Sequence, residues 1–398
     1  MNKKIEIEDT DLKGNNKSQK NNRFVKFWMK NNRRNLKVFV SAIIVALLVF
    51  AVIFGIYYWK MLNQITIDTG ENYTTPTEEY SEENFETMND VSDADSLNSM
   101  LYQWANNNGE KMHDRNIINV LLLGLDSENG SIASARSDCM ILVSINKKNK
   151  KVHLTSFYRD SYTYVQYNGN EEYCKLNAAF YYGGPKVLIE TLENNYKIEI
   201  DKYVSVDFKT FPELIDALGG VTVEIQPYEA EFINETTRYT VESGKAVTLP
   251  GKEALVFSRI RHCDTDGDVS RTRRQRQVIQ AIIDSAKNAS SAQINRALNK
   301  VLPFVTTNFT RKEILSLGAQ ALSQDWMNFP RIQLTMPKQG VDGWDAMIGD
   351  QSVWVVDYPV CANKLQKSIY GKSNIIIDEQ NRTSAQSFVV SGYQDYGY

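Results

Sequence analysis

Residues 117–157 read IINVLLLGLDSENGSIASARSDCMILVSINKKNKKVHLTSF. Three apolar runs stand in this stretch: Ile117 to Leu123, ended by Gly124; Met140 to Ile145; and Val152 to Phe157. The last two flank the polar turn Asn146 to Lys151, so the pattern predicts neighbouring sheet strands. Downstream, helical spacing appears at Leu176 to Tyr182 and Pro185 to Asn195, a strand at Tyr203 to Val206, and a helix from Thr210 to Leu218 stopped by Gly219 and Gly220. Val221 to Ile225 returns as a strand, and a polar excursion then runs to Leu249. Helices follow at Gly251 to Ser258, Ser270 to Ala286, Ala292 to Val301 and Arg311 to Gln324, with strands near Ile332 to Met336 and Val353 to Val356. Strands and helices mixed in this way predict an α/β domain.

Upstream lies a different kind of chain. Residues 1–37 hold eleven Lys or Arg and four acids, and Val38 to Trp59 holds no charge over 22 residues. At about 1.5 Å per residue, such a helix covers the hydrocarbon layer of a bilayer. Arg33, Arg34 and Lys37 precede the segment and Tyr57, Tyr58 and Trp59 end it, so the positive-inside rule puts the N-terminus in the cytoplasm and the rest outside. A cleaved signal peptide would have a shorter apolar core followed by small residues. Five regions are therefore expected: a basic cytoplasmic tail (1–37), a transmembrane helix (38–59), an acidic stalk with an accessory helix near 95–110 (60–112), a catalytic domain (113–371) and a polar C-terminal tail (372–398).

The whole chain of 398 residues carries a net charge of −3, which argues against a general nucleic-acid binder. Four cysteines without a CxxC pair are too few for a disulfide scaffold and do not form a zinc site. A disulfide among Cys139, Cys174, Cys263 and Cys361 stays open for an extracellular domain. His262 and Cys263 are adjacent in sequence, which is not the geometry of a catalytic Cys–His pair, and no third orienting group is evident. His113 and His153 read as ordinary surface or strand residues.

The densest charge pattern is Arg259 to Gln275, RIRHCDTDGDVSRTRRQ. Six arginines fall between 259 and 276, and Arg271 and Gln275 share one helical face just inside a predicted N-terminus. Guanidinium forks and a helix N-terminus both suit phosphate oxygens. A solvated face of intermixed Asp and Arg accounts for such a cluster too. An EF-hand does not, because Val269 stands where the loop needs Gly and no Glu closes it. A second cluster surrounds Asp126, at the end of the first strand, and Asp138, before the next. Two carboxylates with phosphate oxygens and water would suit magnesium, though turn or N-cap roles serve equally. Arg136 lies between them. Ser156 to Asp160 (SFYRD) again sets an Arg beside an acid at a strand end, and Lys175 and Asn177 open a helix in CKLNAAFYYGG.

The order Asp126…Arg136-Ser-Asp138, then Ser156-Phe-Tyr-Arg159-Asp160, then Lys175-Leu-Asn-Ala-Ala, then Arg259-Ile-Arg261…Asp268-Val-Ser-Arg271-Thr-Arg-Arg274-Gln275 resembles the LytR-CpsA-Psr family of cell-envelope proteins over about residues 113 to 290. The resemblance implies a mixed sheet flanked by helices, a Gram-positive-type bacterium, and transfer of an anionic glycopolymer (teichoic acid, capsule or another wall polymer) from a polyprenyl-pyrophosphate carrier to peptidoglycan. By position, Asp126 and Asp138 would hold Mg2+ or Mn2+. Arg136, Arg159, Arg259, Arg261, Arg271 and Gln275 would grip the pyrophosphate, and Asp268 takes the family's remaining acidic position among the catalytic residues. Cys139 stands where Thr is usual, and Phe157-Tyr158 where an Ile-Pro-like pair is usual.

Such a reaction needs phosphate charge neutralised and requires no protein nucleophile. Asp160 or Asp268 would take the acceptor's proton. An apolar trough lined by Phe180, Val187 and Leu188 would hold the polyprenyl chain, although core packing explains those residues as well. Two other classes use the same inventory: a polyprenyl-pyrophosphate phosphatase or pyrophosphatase with water as nucleophile, and a non-enzymatic transcriptional attenuator. The attenuator would need a DNA-binding part in a 37-residue tail that has no helix-turn-helix pattern.

Overall fold

The computed structural model describes residues 55–70, 73, 89–107, 109–126, 136–207, 210–237, 239–260, 267–377 and 385–391. The chain divides into two units, 1–62 and 63–398. In the first, residues 55–62 are helical. The basic tail and most of the expected membrane span, Val38 to Phe54, lie outside the described residues, as do residues 71–72 and 74–88 of the stalk. Among the described residues, no helix is long and apolar enough to cross a membrane.

The second unit is built on a seven-stranded sheet of β1 (Thr66–Ile67), β2 (Ile117–Asp126), β3 (Arg136–Asn146), β4 (Lys151–Phe157), β5 (Lys202–Asp207), β6 (Val305–Thr307) and β7 (Arg331–Met336). Their spatial order is β1-β6-β5-β2-β3-β4-β7. β2 and β4 run antiparallel to β3, while β2 pairs in parallel with β5 and β4 with β7. The sheet is therefore mixed. The three strands read from the apolar runs are present, with β2 and β3 reaching further towards the loop between them.

Both faces of the sheet are covered, which is why the central strands read as continuous apolar runs rather than alternating ones. Leu121, Leu123, Met140, Leu142 and Phe157 enter the main core on one face. Cys139, Ile141 and Leu154 pack on the other, with Ile279 against them. The helices are α1 (Ala94–Asn106), α2 (Ala178–Tyr196), α3 (Phe211–Leu218), α4 (Pro227–Thr236), α5 (Gly251–Arg259), α6 (Gly267–Asn288), α7 (Ser291–Val301), α8 (Arg311–Ser323) and α9 (Tyr358–Tyr370). α1, α2 and α9 contribute to the main core. α3 to α6 enclose a second core with the ribbon Val221–Glu224 and Ala246–Leu249.

The two helical segments expected at 176–195 form one run, α2, broken by non-helical backbone at Gly183 and Gly184 ahead of Pro185. Gly184 has φ +63°, and a Cβ there would lie 2.1 Å from the Tyr73 ring. Only glycine admits both the turn and that contact. Lys197, itself at φ 52°, ends α2. Its Nζ donates to Trp104 O at 2.8 Å and Asn107 O at 2.9 Å, satisfying carbonyls at the end of α1.

The hairpin Tyr162–Tyr167 and Asn170–Lys175 was not expected. Its signal is Asn168-Gly169, both at positive φ, the pair favoured in two-residue hairpin turns. The second strand, NEEYCK, is mostly polar and hides the period. α4, inside the polar excursion, carries a capping box of Gln226 and Glu229 with Pro at its first turn. Near the C-terminus, Val389–Ser391 pairs with Asn89–Val91 beside the strands Gly343–Ile348 and Gln351–Val356.

Candidate functional site

The loop after β4 is fixed by its backbone. Arg159 O accepts from Asn177 N at 3.0 Å, Asp160 O from Trp354 N at 2.8 Å, and Ser161 O from Leu176 N at 2.9 Å. These bonds tie the Arg159–Asp160 pair to the hairpin's end, the start of α2 and the small sheet. Arg159 Nη1 donates to Asp138 Oδ1 at 2.6 Å, and its Nε lies 3.4 Å from Asp160 Oδ2. Lys175 Nζ, almost wholly buried, stands 3.7 Å from Asp160 Oδ1. Asp138 reaches this cluster because β3 carries an extra residue here: Gly124 pairs with Cys139 but Leu125 with Ser137. Such bulges re-aim a side chain beside a functional site.

α6 brings its arginines to the same end of the sheet. Burial pushes the Cys139 thiol up to about 12, opposed by the charges of Arg271 and Arg276 and reinforced by Asp138. Arg271 is 3 % exposed and Arg276 9 %. Arg276 also faces the Tyr158 hydroxyl, and burial lowers its pKa. Tyr158 packs edge-on to Trp354 at 5.2 Å. The cations Arg159, Lys175, Arg271 and Arg276 outnumber the carboxylates Asp138 and Asp160 by two. In a low-dielectric setting, that excess suits an anion.

Of the residues singled out in the sequence, Asp138, Arg159, Asp160 and Arg271 are brought together. Gln275 lies half-buried one turn along α6 from Arg271. Arg259 is exposed at the end of α5. Asp126 pairs in backbone register with Arg136, and Asp268 falls in the first turn of α6. The side chains of Asp126, Arg136 and Asp268, and residues 261–266 including Arg261, lie outside the described part. Arg274 serves the fold: its Nη1 donates to Glu229 Oε1 at 3.0 Å and its Nη2 to Ile260 O at 2.7 Å, joining α4, the end of α5 and α6.

Two sequence expectations change. Phe180 and Leu188, 1 % and 0 % exposed, belong to the closed core rather than to an open trough. Val187 borders a cavity of about 340 Å³ whose lining is polar and tyrosyl, with Gln166, Asn168 and Lys186. Cys139, Cys174 and Cys361 are buried, and no disulfide joins any two of them. Lys175 and Arg276 were not assigned to the site from sequence. The partner of Lys175 depends on the unforeseen hairpin, and Arg276 read as one of six arginines.

Hard oxygen donors suit magnesium. Asp138 supplies one such carboxylate at a strand end, and the backbone register sets Asp126 on the adjoining strand. Among the described residues, no group of three or more His, Cys, Asp or Glu is gathered to hold a metal. A magnesium ion here would draw on Asp138, the one carboxylate of the pair whose side chain is described, and would be completed by phosphate oxygens and water.

The domain is thus a mixed α/β sheet with buried guanidiniums near its strand ends. The chain belongs to the LytR_cpsA_psr family, whose model matches residues 72–359. It is 35% identical over 202 residues to the polyisoprenyl-teichoic acid–peptidoglycan teichoic acid transferase TagV of Bacillus subtilis (strain 168), covering 50% of this chain and 51% of TagV. With TagU of Oceanobacillus iheyensis it shares 38% over 184 residues, covering 45% and 54%. Protein gbs0355 from Streptococcus agalactiae has the same fold at a TM-score of 0.56 and 27% identity, over 66% of this chain and 90% of that one. The chain spans about half the length of the curated relatives it matches.

Proposed function

We propose that this protein is a membrane-anchored phosphotransferase that moves an anionic glycopolymer, of the teichoic-acid type named for its relatives, from a polyprenyl-pyrophosphate carrier to peptidoglycan. The observation that carries this reading is the meeting of Asp138, Arg159, Asp160, Lys175 and Arg271 at one end of the sheet, with positive charge in excess. The apolar run Val38 to Trp59 with its basic flank supports a single span with the domain outside the cell, in a Gram-positive-type envelope.

In the proposed reaction an acceptor hydroxyl of peptidoglycan attacks the phosphorus that carries the sugar chain. The new P–O bond forms as the bond to the bridging oxygen breaks, and polyprenyl phosphate leaves. Arg159 and Arg271, together with Arg136, Arg259, Arg261 and Gln275 as the resemblance assigns them, would hold the two phosphates and offset the charge gathering on the leaving group. Asp138 keeps Arg159 aimed, through the 2.6 Å bond. Asp160, within 3.4 Å of the Arg159 Nε, or Asp268 at the start of α6, accepts the hydroxyl proton. Asp126 and Asp138 would hold Mg2+ or Mn2+, which supplies further neutralisation of phosphate oxygens when bound.

The test is transfer by the purified full-length protein in detergent, with a lipid-linked polymer and peptidoglycan as acceptor. Arg159→Ala is expected to lower transfer by roughly 100-fold or more while circular dichroism stays unchanged. EDTA is expected to stop the wild type, and added Mg2+ to restore it. Release of free polymer phosphate without an acceptor adduct would identify a hydrolase instead. Full activity of Arg159→Ala would overturn the site.

A further inference from the structure

The cavity of about 340 Å³ beside α2 shares no residue with the cluster around Arg159. One wall is a face of α2, where Lys186, Glu190 and Asn194 recur every fourth residue. The other is the first strand of the hairpin with its turn, from Tyr164 to Gly169. The side chains of Gln166, Lys186, Glu190 and Asn194 have no hydrogen-bond or ion-pair partner among the described residues. The strand contributes backbone groups as well. Ser161 O accepts from Leu176 N at 2.9 Å, which sets the alternation: Thr163, Val165 and Tyr167 bond across the hairpin, while Tyr162, Tyr164 and Gln166 turn their N–H and C=O outward. At the base of this edge the Tyr358 hydroxyl answers the Tyr162 carbonyl at 3.1 Å. At Gln166, on the cavity, no described group takes that place.

The lining says what would fill the groove. Tyr164 and Tyr167 offer phenol rings, and Tyr167 is backed by Tyr182, stacked at 4.3 Å and 8°, so its ring is a rigid platform. A sugar lays its C–H face on such a ring, and its hydroxyls and amides both donate and accept, as the carboxamides of Gln166 and Asn194 do. A peptide adding to the strand edge would need pockets for alternate side chains, and Val187 is the single aliphatic side chain in the lining. A polyanion meets no positive field: Glu190 offsets Lys186, and the second strand of the hairpin brings Glu171 and Glu172. We propose that this groove binds an uncharged saccharide bearing N-acetyl groups, whose amide pairs with the outward backbone of Gln166. That the sugar belongs to the peptidoglycan acceptor rests on the proposed transfer reaction; the affinity of the groove for it does not.

The test uses the full-length protein in detergent micelles and titration calorimetry with chitotetraose, the tetramer of N-acetylglucosamine. The wild type is expected to bind it, and the double variant Gln166→Ala with Asn194→Ala to bind about tenfold or more weakly, the loss expected of two hydrogen bonds, with circular dichroism unchanged. Cellotetraose, which lacks the amides, is expected to bind more weakly than chitotetraose. Glu190→Gln is expected to leave the affinity for chitotetraose within about twofold, since the ligand carries no charge. In the transfer assay the double variant is expected to raise KM for peptidoglycan while kcat holds. Absence of chitotetraose binding, an affinity that the double variant leaves unchanged, or binding of an alanine tetrapeptide or of poly(glycerol phosphate) in place of the sugar overturns the proposal. Chitotetraose binding that depends on Gln166 and Asn194 in a protein that transfers no polymer would sink the transferase reading and leave the saccharide groove standing.

Discussion

Glu229 and Arg274 meet where α4, α5 and α6 converge, their side chains 2 % and 0 % exposed and 3.0 Å apart. The second nitrogen of Arg274 closes on the Ile260 carbonyl, just before the segment that carries Arg261. Arg274→Ala leaves a buried carboxylate faced by the Gln226 N–H at 2.9 Å and by Arg273, 3.4 Å away on the exposed side. The expected loss is about 3–5 kcal/mol, measured by denaturant unfolding, and the double change Glu229→Leu with Arg274→Met is expected to recover most of it. Of the site itself, the arginines and acids could be picked out of the chain because they fall at strand ends and on one helix face. Their convergence could not. Asp138 and Arg159 are brought together by a bulge in β3, and Asp160 and Lys175 by a hairpin, neither of which leaves a charge pattern in the sequence. Arg276 differs from Arg273 only in the side of α6 it occupies, which the packing of Cys139 and Ile279 decides.

At the scale of elements, apolar runs and helix stop signals recovered the central strands and the long helices, since burial on both faces of the sheet leaves an unbroken hydrophobic signature. The missed elements are those whose stabilisation comes from elsewhere: the half-polar hairpin, held by Tyr164, Tyr173 and α2, and α9, whose first turn is capped by Asp357. The glycine pair in α2 was legible as an interruption, and the structure supplies its reason. Gly184→Ala must adopt a left-handed conformation and push its methyl into the Tyr73 ring. The expected outcome is a loss of more than about 1 kcal/mol in stability by thermal melting, the cost of the conformation alone. Ala at Gly55, where no heavy atom lies within 4 Å, is the control expected to be neutral.

For the whole molecule, stability should depend on pH through a residue outside the cluster of Arg159, Asp138 and Asp160. His153, 2 % exposed on β4, places its Nδ1 3.0 Å from Ser368 Oγ, and burial with the nearby Lys151 charge pushes its pKa down to about 4. The unfolded chain takes up this proton near 6.5 while the folded chain does not until about 4, so stability falls as pH drops through that window. His153→Gln is expected to flatten this limb when unfolding is compared at about pH 7 and about pH 4.5. The three described thiols have a consequence at the same scale. Cys139 and Cys361 are held well above their ordinary ionisation range by burial, and all three sulfurs are shielded. An alkylating reagent reacts with thiolate, so modification has to wait for the chain to open. One sulfur lies beneath α6, one in the hairpin and one on α9. Once Cys263 is replaced by Ser, pulse alkylation read by peptide mass would time the breathing of three separate layers, with native cysteines as the clocks.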